Sequence, residues 1–267
     1  MSVTAIHYTC QTSLLLIGAV ALWRLAILPK LRRSPVPALL PLWEISGMEF
    51  FRFIWVVFAG LFAGSLCASF VLRLYPLSGD AASMVGTAAG QIGTLIGVAL
   101  FEFFLERQKP KEPSPRVSIF VSGFITFAIG LCAAALASFF WQTLLRTFDL
   151  AADKQDLVRM FREADTTLML WAMIILACLG APAAEELLFR RGIFRYARTR
   201  LPRWAALLLP ACLFGAVHGN LAGYLPLVAL GIVFALAYER TGRIGTSIVA
   251  HALFNLNTVL YLLGGGA

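Results

Sequence analysis

The sequence predicts an all-α protein, a polytopic membrane helix bundle with about eight transmembrane helices. The first observation is composition: 60% of the 267 residues are hydrophobic and only 13% are charged. Soluble domains usually carry about 45–50% apolar and about 25% charged residues. The second is that apolar runs of about 20 residues, the length that crosses a bilayer core, recur along the chain. The third is that charged residues lie mainly in the short segments between these runs.

Each candidate span is an apolar run bounded by polar residues. In order, the spans cover about residues 9–28, 49–74, 83–105, 117–145, 166–189, 204–219, 222–240 and 243–263. The sixth is short and contains Pro210, so we expect a kink or an incomplete crossing. In the second, Gly60 and Gly64 form a small-x-x-x-small pattern that favours close helix packing, within the monomer or between copies. We divide this one membrane domain into N-terminal helices with basic loops, residues 1–165, and a C-terminal helical core, residues 166–267.

The distribution of basic residues predicts the orientation of the bundle. Lys and Arg concentrate in the loops after the first, third, fifth and seventh spans, which the positive-inside rule makes cytoplasmic. Both termini then face outward. The net charge of +8 is therefore explained by topology and lipid headgroups, and it predicts no nucleic-acid partner. The loop at 146–165 is mixed in charge, and its apolar spacing fits an amphipathic surface helix or a solvated connector.

Two adjacent glutamates form the first candidate motif, inside the apolar segment Ala-Pro-Ala-Ala-Glu-Glu-Leu-Leu-Phe-Arg-Arg. Ionisable groups within a membrane segment are costly, so they indicate a functional site. On a helix Glu186 and Arg190 are four residues apart and can pair, while Glu185 points about 100° away and can face a cavity. The structural alternative is that all three are interfacial anchors at a helix end, although Arg191, Arg195 and Arg198 already provide anchors nearby.

Two of the three histidines lie in later apolar segments, each with a partner four residues away. Phe214 precedes His218 by one turn, and His251 precedes Asn255 by one turn, so each pair shares a helix face. The structural alternatives are a hydrogen-bonded interfacial histidine and an interhelical polar clamp. A rise of ~1.5 Å per residue puts His218 roughly 20 Å and His251 roughly 12 Å from the basic ends of their spans. Both can therefore meet Glu185 within the bilayer, in a cavity that we expect to open toward the cytoplasm.

The three motifs, in this order on successive apolar segments, resemble the CPBP family. They are Glu-Glu-x-x-x-Arg at 185–190, Phe-x-x-x-His at 214–218 and His-x-x-x-Asn at 251–255. That family contains type II CAAX prenyl proteases and bacterial bacteriocin-processing and immunity proteins. The resemblance covers about residues 185–255, and the ordered trio is specific although each motif alone is weak. One departure is the extra Arg191 before the glycine that usually follows the first motif.

The resemblance implies an intramembrane endopeptidase in which Glu185 and His218 activate a water molecule. It implies that His251 and Asn255 stabilise the oxyanion. The supporting residues would be Glu186, Arg190 and Phe214. These residue types suit the chemistry without the family name, because a carboxylate takes a proton from water and an imidazole shares it. Losing one oxyanion donor typically costs about 10²–10³ in rate.

A zinc-dependent reaction is the alternative within the same chemistry. Two histidines and one glutamate form a known catalytic zinc set, which here would be Glu185, His218 and His251. The sequence contains no His-Glu-x-x-His motif, and Asn255 beside His251 resembles a donor pair, so we favour a reaction without a metal cofactor. The five cysteines are scattered and form no Cys-x-x-Cys pair, which predicts neither a disulfide framework nor a thiolate metal site.

Two other function classes compete with a protease. A non-catalytic membrane scaffold or immunity-type binding protein would keep the polar cluster for recognition, but it needs neither both histidines nor Glu185. A proton-coupled transporter is disfavoured because no internal repeat is evident. For the protease, the resemblance suggests a bond near the C-terminus of a membrane-associated or lipidated peptide or protein. The short loops favour a bacterial inner membrane, and the sequence leaves the oligomeric state open.

Overall fold

The computed structural model describes residues 3–28, 38–77, 79–105, 117–150 and 166–264. These residues form eight helices and no strand. Their bounds are α1 (Val3–Leu22, continued by a π-helical turn at Trp23–Ile27), α2 (Gly47–Leu74), α3 (Gly79–Leu100, continued by a π-helical turn at Phe101–Leu105), α4 (Ile119–Thr147), α5 (Thr167–Arg200), α6 (Arg203–Val217), α7 (Tyr224–Thr241) and α8 (Ile244–Leu263). The predicted helical membrane bundle is confirmed.

Six of the eight helices, α2 to α5 together with α7 and α8, are long and apolar enough to cross a membrane by length and composition. The sixth predicted span is α6, which is apolar but has only 15 residues and contains Pro210 within the helix. Its shortness agrees with the expectation of an incomplete crossing. Most of the segment predicted as an amphipathic helix or connector, residues 151–165, lies outside the described residues.

Local capping explains where several helices begin and end. Ser46 and Glu49 form a capping box at the start of α2, in which each side chain accepts from the other residue's backbone N–H, at 3.2 and 2.8 Å. Thr166 caps α5 by accepting from the N–H of Met169. Gly242 ends α7 with a φ of +66°, a left-handed conformation that glycine adopts without steric cost.

The fifth helix is longer than the sequence predicts. We expected a span over 166–189 followed by a basic loop at 190–203, whereas α5 continues to Arg200. The arginines do not end the helix because their side chains have partners inside the protein. Arg190 and Arg195 are both buried, and the guanidinium of Arg195 lies 5.3 Å from the ring centroid of Trp43. The expectation of an interfacial anchor is therefore wrong for Arg195, and the anchoring alternative for Arg190 is wrong as well.

Helices α2 and α3 pack with their backbones nearly in contact. A Cβ at Gly60 would overlap the carbonyl of Gly93, and a Cβ at Gly64 would overlap the carbonyl of Ala89. Only glycine allows this approach, so the small-x-x-x-small pattern of α2 is used within the monomer. This packing fixes α3 beside α5, where its other face borders the candidate site.

The bundle has two chemically distinct ends, which we call the terminus face and the basic face. The terminus face contains the starts of α1, α3 and α7 and the ends of α6 and α8, and there Gln11 Nε2 donates to Asn257 Oδ1 at 2.7 Å. The basic face contains the end of α5 and the start of α6, where Arg198 and Arg203 both contact Glu239. Between the two ends, α4 packs against α1, α7 and α8.

Candidate active site

The paired glutamates lie on a short α-helical segment between two π-helical turns of α5. The segment is Ala181–Glu186, and the turns are Leu176–Gly180 and Leu187–Phe194. Each π turn inserts an extra residue and rotates the helix face, and such turns are frequent at functional sites. The α segment between them keeps adjacent residues on different faces, so the two carboxylates have different surroundings.

Glu186 is fully buried and holds two partners on one oxygen. Its Oε1 lies 2.9 Å from Arg190 Nη1 and 2.9 Å from His251 Nδ1. The pairing of Glu186 with Arg190 one turn later, predicted from the sequence, is confirmed. The guanidinium of Arg190 also lies 4.2 Å from the ring centroid of Phe214, a favourable cation–π contact, and 5.4 Å from that of Phe234. The negative charge of Glu186 is therefore paired with the positive charge of Arg190, and two aromatic rings lie against the guanidinium.

Glu185 faces the two histidines from the other side of α5. Its Oε2 lies 3.8 Å from His218 Nε2 and 3.9 Å from His251 Nε2. The same oxygen is buried and has no hydrogen-bond partner among the described residues. Both separations exceed the length of a direct hydrogen bond, and polar groups this far apart are commonly bridged by water.

The neighbours of the imidazoles fix their tautomers. His218 Nδ1 lies 2.7 Å from the carbonyl oxygen of Phe214, so Nδ1 carries the proton and donates it. His251 Nδ1 donates to Glu186 in the same way. In each neutral ring the remaining nitrogen, Nε2, then presents a lone pair toward Glu185. An Nε2 atom that carries a proton would be a hydrogen-bond donor toward the cavity, while Nδ1–H stays bonded to Glu186.

Asn255 and Phe214 also border the cluster. Asn255 Nδ2 donates to the carbonyl oxygen of Ala177 at 2.7 Å, which fixes the carboxamide against the first π turn of α5. Its second N–H remains for another acceptor. The ring of Phe214 lies edge-on to His218, at 4.8 Å between centroids, and to His251, at 5.9 Å. The seven residues singled out from the sequence thus form one cluster on α5, α6 and α8.

A cavity of about 480 Å³ leads to this cluster. Glu185, Phe214, His218, His251 and Asn255 all line it, and most of the other lining side chains are apolar. The buried Glu186 and Arg190 do not line the cavity and instead lie behind it. The cavity therefore exposes Glu185, whose buried Oε2 has no hydrogen-bond partner among the described residues, and conceals Glu186, which has two partners.

The position of the cavity does not support the predicted opening toward the cytoplasm. Its lining includes Ser83 near the start of α3, Asn220 and Gly223 after α6, and Leu262 near the end of α8. These residues belong to the terminus face, and no residue of the basic face lines the cavity. If the positive-inside rule gives the orientation, the cavity opens on the side opposite to the cytoplasm.

The described residues contain no group of three or more His, Cys, Asp or Glu side chains arranged to hold a metal ion. Two donor atoms each about 2.1 Å from a tetrahedral zinc lie about 3.4 Å apart. The separations of Glu185 Oε2 from His218 Nε2 and His251 Nε2, 3.8 and 3.9 Å, are wider. The donor types suit zinc, but this arrangement does not match its geometry.

Several residues of this region were not identified from the sequence. Phe234 stacks on His251 with 5.2 Å between ring centroids, and Gln91 of α3 lines the cavity. Phe234 carries no recognisable pattern, since one more aromatic residue in an apolar helix is unremarkable. Gln91 does carry a recognisable pattern, because it is a polar side chain within an apolar span.

The fold and site define a class: a polytopic helical membrane protein with a buried carboxylate–imidazole cluster at the end of a cavity. Residues 167–257 match the family model described as Type II CAAX prenyl endopeptidase Rce1-like. This match confirms the resemblance that the three motifs indicate, and it covers α5 to α8 but not α1 to α4.

Two curated relatives match part of the chain. The "Putative membrane peptidase YdiL" of Bacillus subtilis is 36% identical over 91 residues, which are 34% of this chain and 37% of the relative. The "UPF0177 protein YbdI" of Lactococcus lactis is 28% identical over 98 residues, 36% of this chain and 52% of the relative. The matched region thus spans about a third to a half of each relative's length. No solved structure matches the chain.

Proposed function

We propose that the protein is an intramembrane endopeptidase and that Glu185 acts as the general base on water. One observation carries the proposal: a buried carboxylate oxygen without a hydrogen-bond partner faces the Nε2 atoms of His218 and His251 at the end of a cavity. A polar group left unpaired in a membrane segment is costly, and such groups therefore indicate a functional site. The match of this segment to a protease family supports the same conclusion.

The reaction begins with a water molecule held between Glu185 and His218. The carboxylate takes a proton while the water oxygen attacks the carbonyl carbon of the scissile peptide bond. Negative charge moves to the carbonyl oxygen, where Nε2–H of a protonated His251 and the free N–H of Asn255 would donate hydrogen bonds. When the carbon–nitrogen bond breaks, the proton passes from Glu185, directly or through His218, to the leaving amine. The products are a carboxylic acid, which keeps the second proton of the water, and an amine; at neutral pH they become a carboxylate and an ammonium group.

The supporting residues act through His251. Glu186 accepts from His251 Nδ1–H, which orients the ring. Arg190 holds Glu186 in place, and Phe214 covers both Arg190 and the histidines. No step in this mechanism passes through a metal ion. If zinc is bound, the residues in contact with it would be Glu185, His218 and His251 after side-chain movement.

The substrate proposed is a membrane-associated or lipidated peptide or protein cleaved near its C-terminus. A largely apolar cavity of about 480 Å³ accommodates a few residues rather than a folded domain, which favours a flexible chain end. The bacterial relatives are compatible with a bacterial inner membrane. A non-catalytic scaffold remains the second candidate, and the experiment below separates the two.

The test is cleavage of a library of C-terminal tail peptides by one detergent-purified sample, with Glu185→Ala beside the wild type. Zinc content is measured on the same sample, and each assay is repeated with a chelator. We expect cleavage that survives chelation and disappears in Glu185→Ala. Loss of cleavage on chelation, with about one zinc per chain, would assign a metalloprotease instead. Wild type and Glu185→Ala that bind the same peptides and cleave none would support the scaffold.

A further inference from the structure

Gln91 places a carboxamide in the wall of the candidate active-site cavity. It lies in the middle of α3, outside the segment that matches the protease family. Its Oε1 is buried and has no hydrogen-bond partner among the described residues. The mechanism above does not use this group. An unpartnered buried carbonyl is destabilising, so its presence in an apolar helix requires a reason.

The surrounding structure directs this side chain toward α5. Ser83, Thr87 and Gln91 are spaced by four residues, so they form one polar stripe on α3, and all three line the cavity. The opposite face of α3 is fixed by the close glycine packing against α2. On α5, a Cβ at Gly180 would overlap the Gln91 oxygen, so the absence of a side chain there leaves room for the carboxamide.

The distance along α5 relates Gln91 to the reacting bond. Gly180 precedes Glu185 by five residues, which corresponds to roughly 7.5 Å along the helix axis. An extended peptide advances about 3.3 Å per residue. The Gln91 oxygen therefore lies about two residues from the bond that Glu185 would hydrolyse, on the side of the terminus face.

We infer that Gln91 is a substrate-positioning residue that accepts a hydrogen bond from a backbone N–H of the bound peptide, about two residues from the scissile bond. A peptide N–H supplies the donor that the buried oxygen lacks, and it does so for any side-chain sequence. The inference deepens the proposed function and rests on it for the location of the scissile bond. The polar stripe would receive the extended backbone while the apolar lining contacts side chains.

The experiment uses Gln91→Leu, which keeps the side-chain volume and removes the carboxamide. Loss of one hydrogen bond to substrate should raise KM about three- to tenfold, with a smaller change in kcat. The melting temperature should stay the same or rise, because an unpaired buried polar group is removed. Gly180→Ala, which displaces the carboxamide without removing it, should raise KM in the same direction.

Gln11→Leu is the matched control, since the same substitution there removes an amide that is paired with Asn257. We expect a lower melting temperature and an unchanged KM for this variant. If Gln91→Leu also lowered the melting temperature and left KM within about twofold of wild type, Gln91 would be structural and the inference would be overturned.

A binding measurement keeps the inference separate from the proposed function. Peptide Kd is compared between Glu185→Gln and the double variant Glu185→Gln/Gln91→Leu, neither of which needs to cleave. A Kd that rises about three- to tenfold supports Gln91 even if the wild type proves to be a scaffold. An equal Kd in the two variants, or no peptide binding by either, contradicts the inference even if the wild type is a protease.

Discussion

Two buried carboxylates in this bundle, Glu186 and Glu239, have the same burial and different surroundings. Glu186 is 0% exposed and Glu239 is 2% exposed, and each is paired with arginine. Glu239 lies at the basic face, where Arg198 Nε approaches Oε1 to 2.7 Å and Arg203 Nη2 approaches Oε2 to 2.6 Å. Among the residues that the structure describes, no histidine is paired with Glu239, and the candidate active-site cavity does not reach it.

The difference lies in what each carboxylate is connected to. Glu186 shares its Oε1 between Arg190 and His251, and the other nitrogen of His251 faces Glu185 in the cavity. Glu239 is paired with arginines, and its backbone carbonyl accepts from the N–H groups of Leu39 and Leu40. Its surroundings therefore attach the segment before α2 to the end of α7. Burial of charge alone therefore does not identify a catalytic site in this protein. The link to an imidazole and a cavity is what distinguishes the candidate site, since buried ion-pair networks also occur for structural reasons.

The largest expected effect is on catalysis by the cavity histidines. His218→Ala should reduce kcat by about 10²–10⁴, since it removes the group that shares the proton with Glu185. The melting temperature should change little, because the His218 side chain is about a quarter exposed. Single-turnover cleavage and thermal unfolding on the same preparation measure both. An active His218→Ala would remove this residue from the mechanism.

The next effect should combine stability and activity at Glu186. Glu186→Ala leaves Arg190 buried without its carboxylate, and breaking such a buried pair costs about 3–5 kcal/mol in free energy of unfolding. His251 loses its acceptor at the same time, so cleavage per folded molecule should fall as well. Chemical denaturation in detergent gives the first quantity, and active-site-normalised cleavage the second. A Glu186→Ala variant that is inactive but as stable as the wild type would contradict the predicted loss in free energy of unfolding.

The smallest effects should come from Arg203 at the basic face. Its side chain is 56% exposed, and exposed ion pairs contribute about 0–1 kcal/mol, so Arg203→Ala should be mildly destabilising. Arg198→Ala should cost more, because the Arg198 side chain is less exposed and its Nε lies 2.7 Å from Oε1 of Glu239. Neither variant should alter cleavage per folded molecule. A larger loss from Arg203→Ala than from Arg198→Ala would reverse this ranking.

The sequence predicts the helices and the pair within the first motif because both depend on short-range patterns, whereas the grouping of the three motifs was inferred from their depth in the spans and from the family resemblance. Apolar runs specify the spans, and i, i+4 spacing specifies the pairing of Glu186 with Arg190. The predicted end of α5 at residue 189 is wrong because a basic run indicates a loop only when its charges face water. The partner of Arg195 is Trp43, some 150 residues earlier in the chain, and no local pattern reveals such a contact.

The cavity could not be predicted in the same way. Helical spacing assigns residues to faces at 3.6 residues per turn, and the two π turns of α5 alter that relation. The wall formed by α3 depends on how closely Gly60 and Gly93 bring two helices together. The direction of the opening follows from the tertiary arrangement, and therefore the expected cytoplasmic opening found no support.

The most direct test compares the same chemical change at the two ends of the bundle. Glu185→Gln and Glu239→Gln each replace a carboxylate by a carboxamide, and cleavage is measured per folded molecule beside the melting temperature. We expect Glu185→Gln to lose at least about 10³ in rate with little change in melting temperature. Glu239→Gln should keep its rate and melt at a lower temperature. Full activity in Glu185→Gln would contradict the central claim that this carboxylate activates the water.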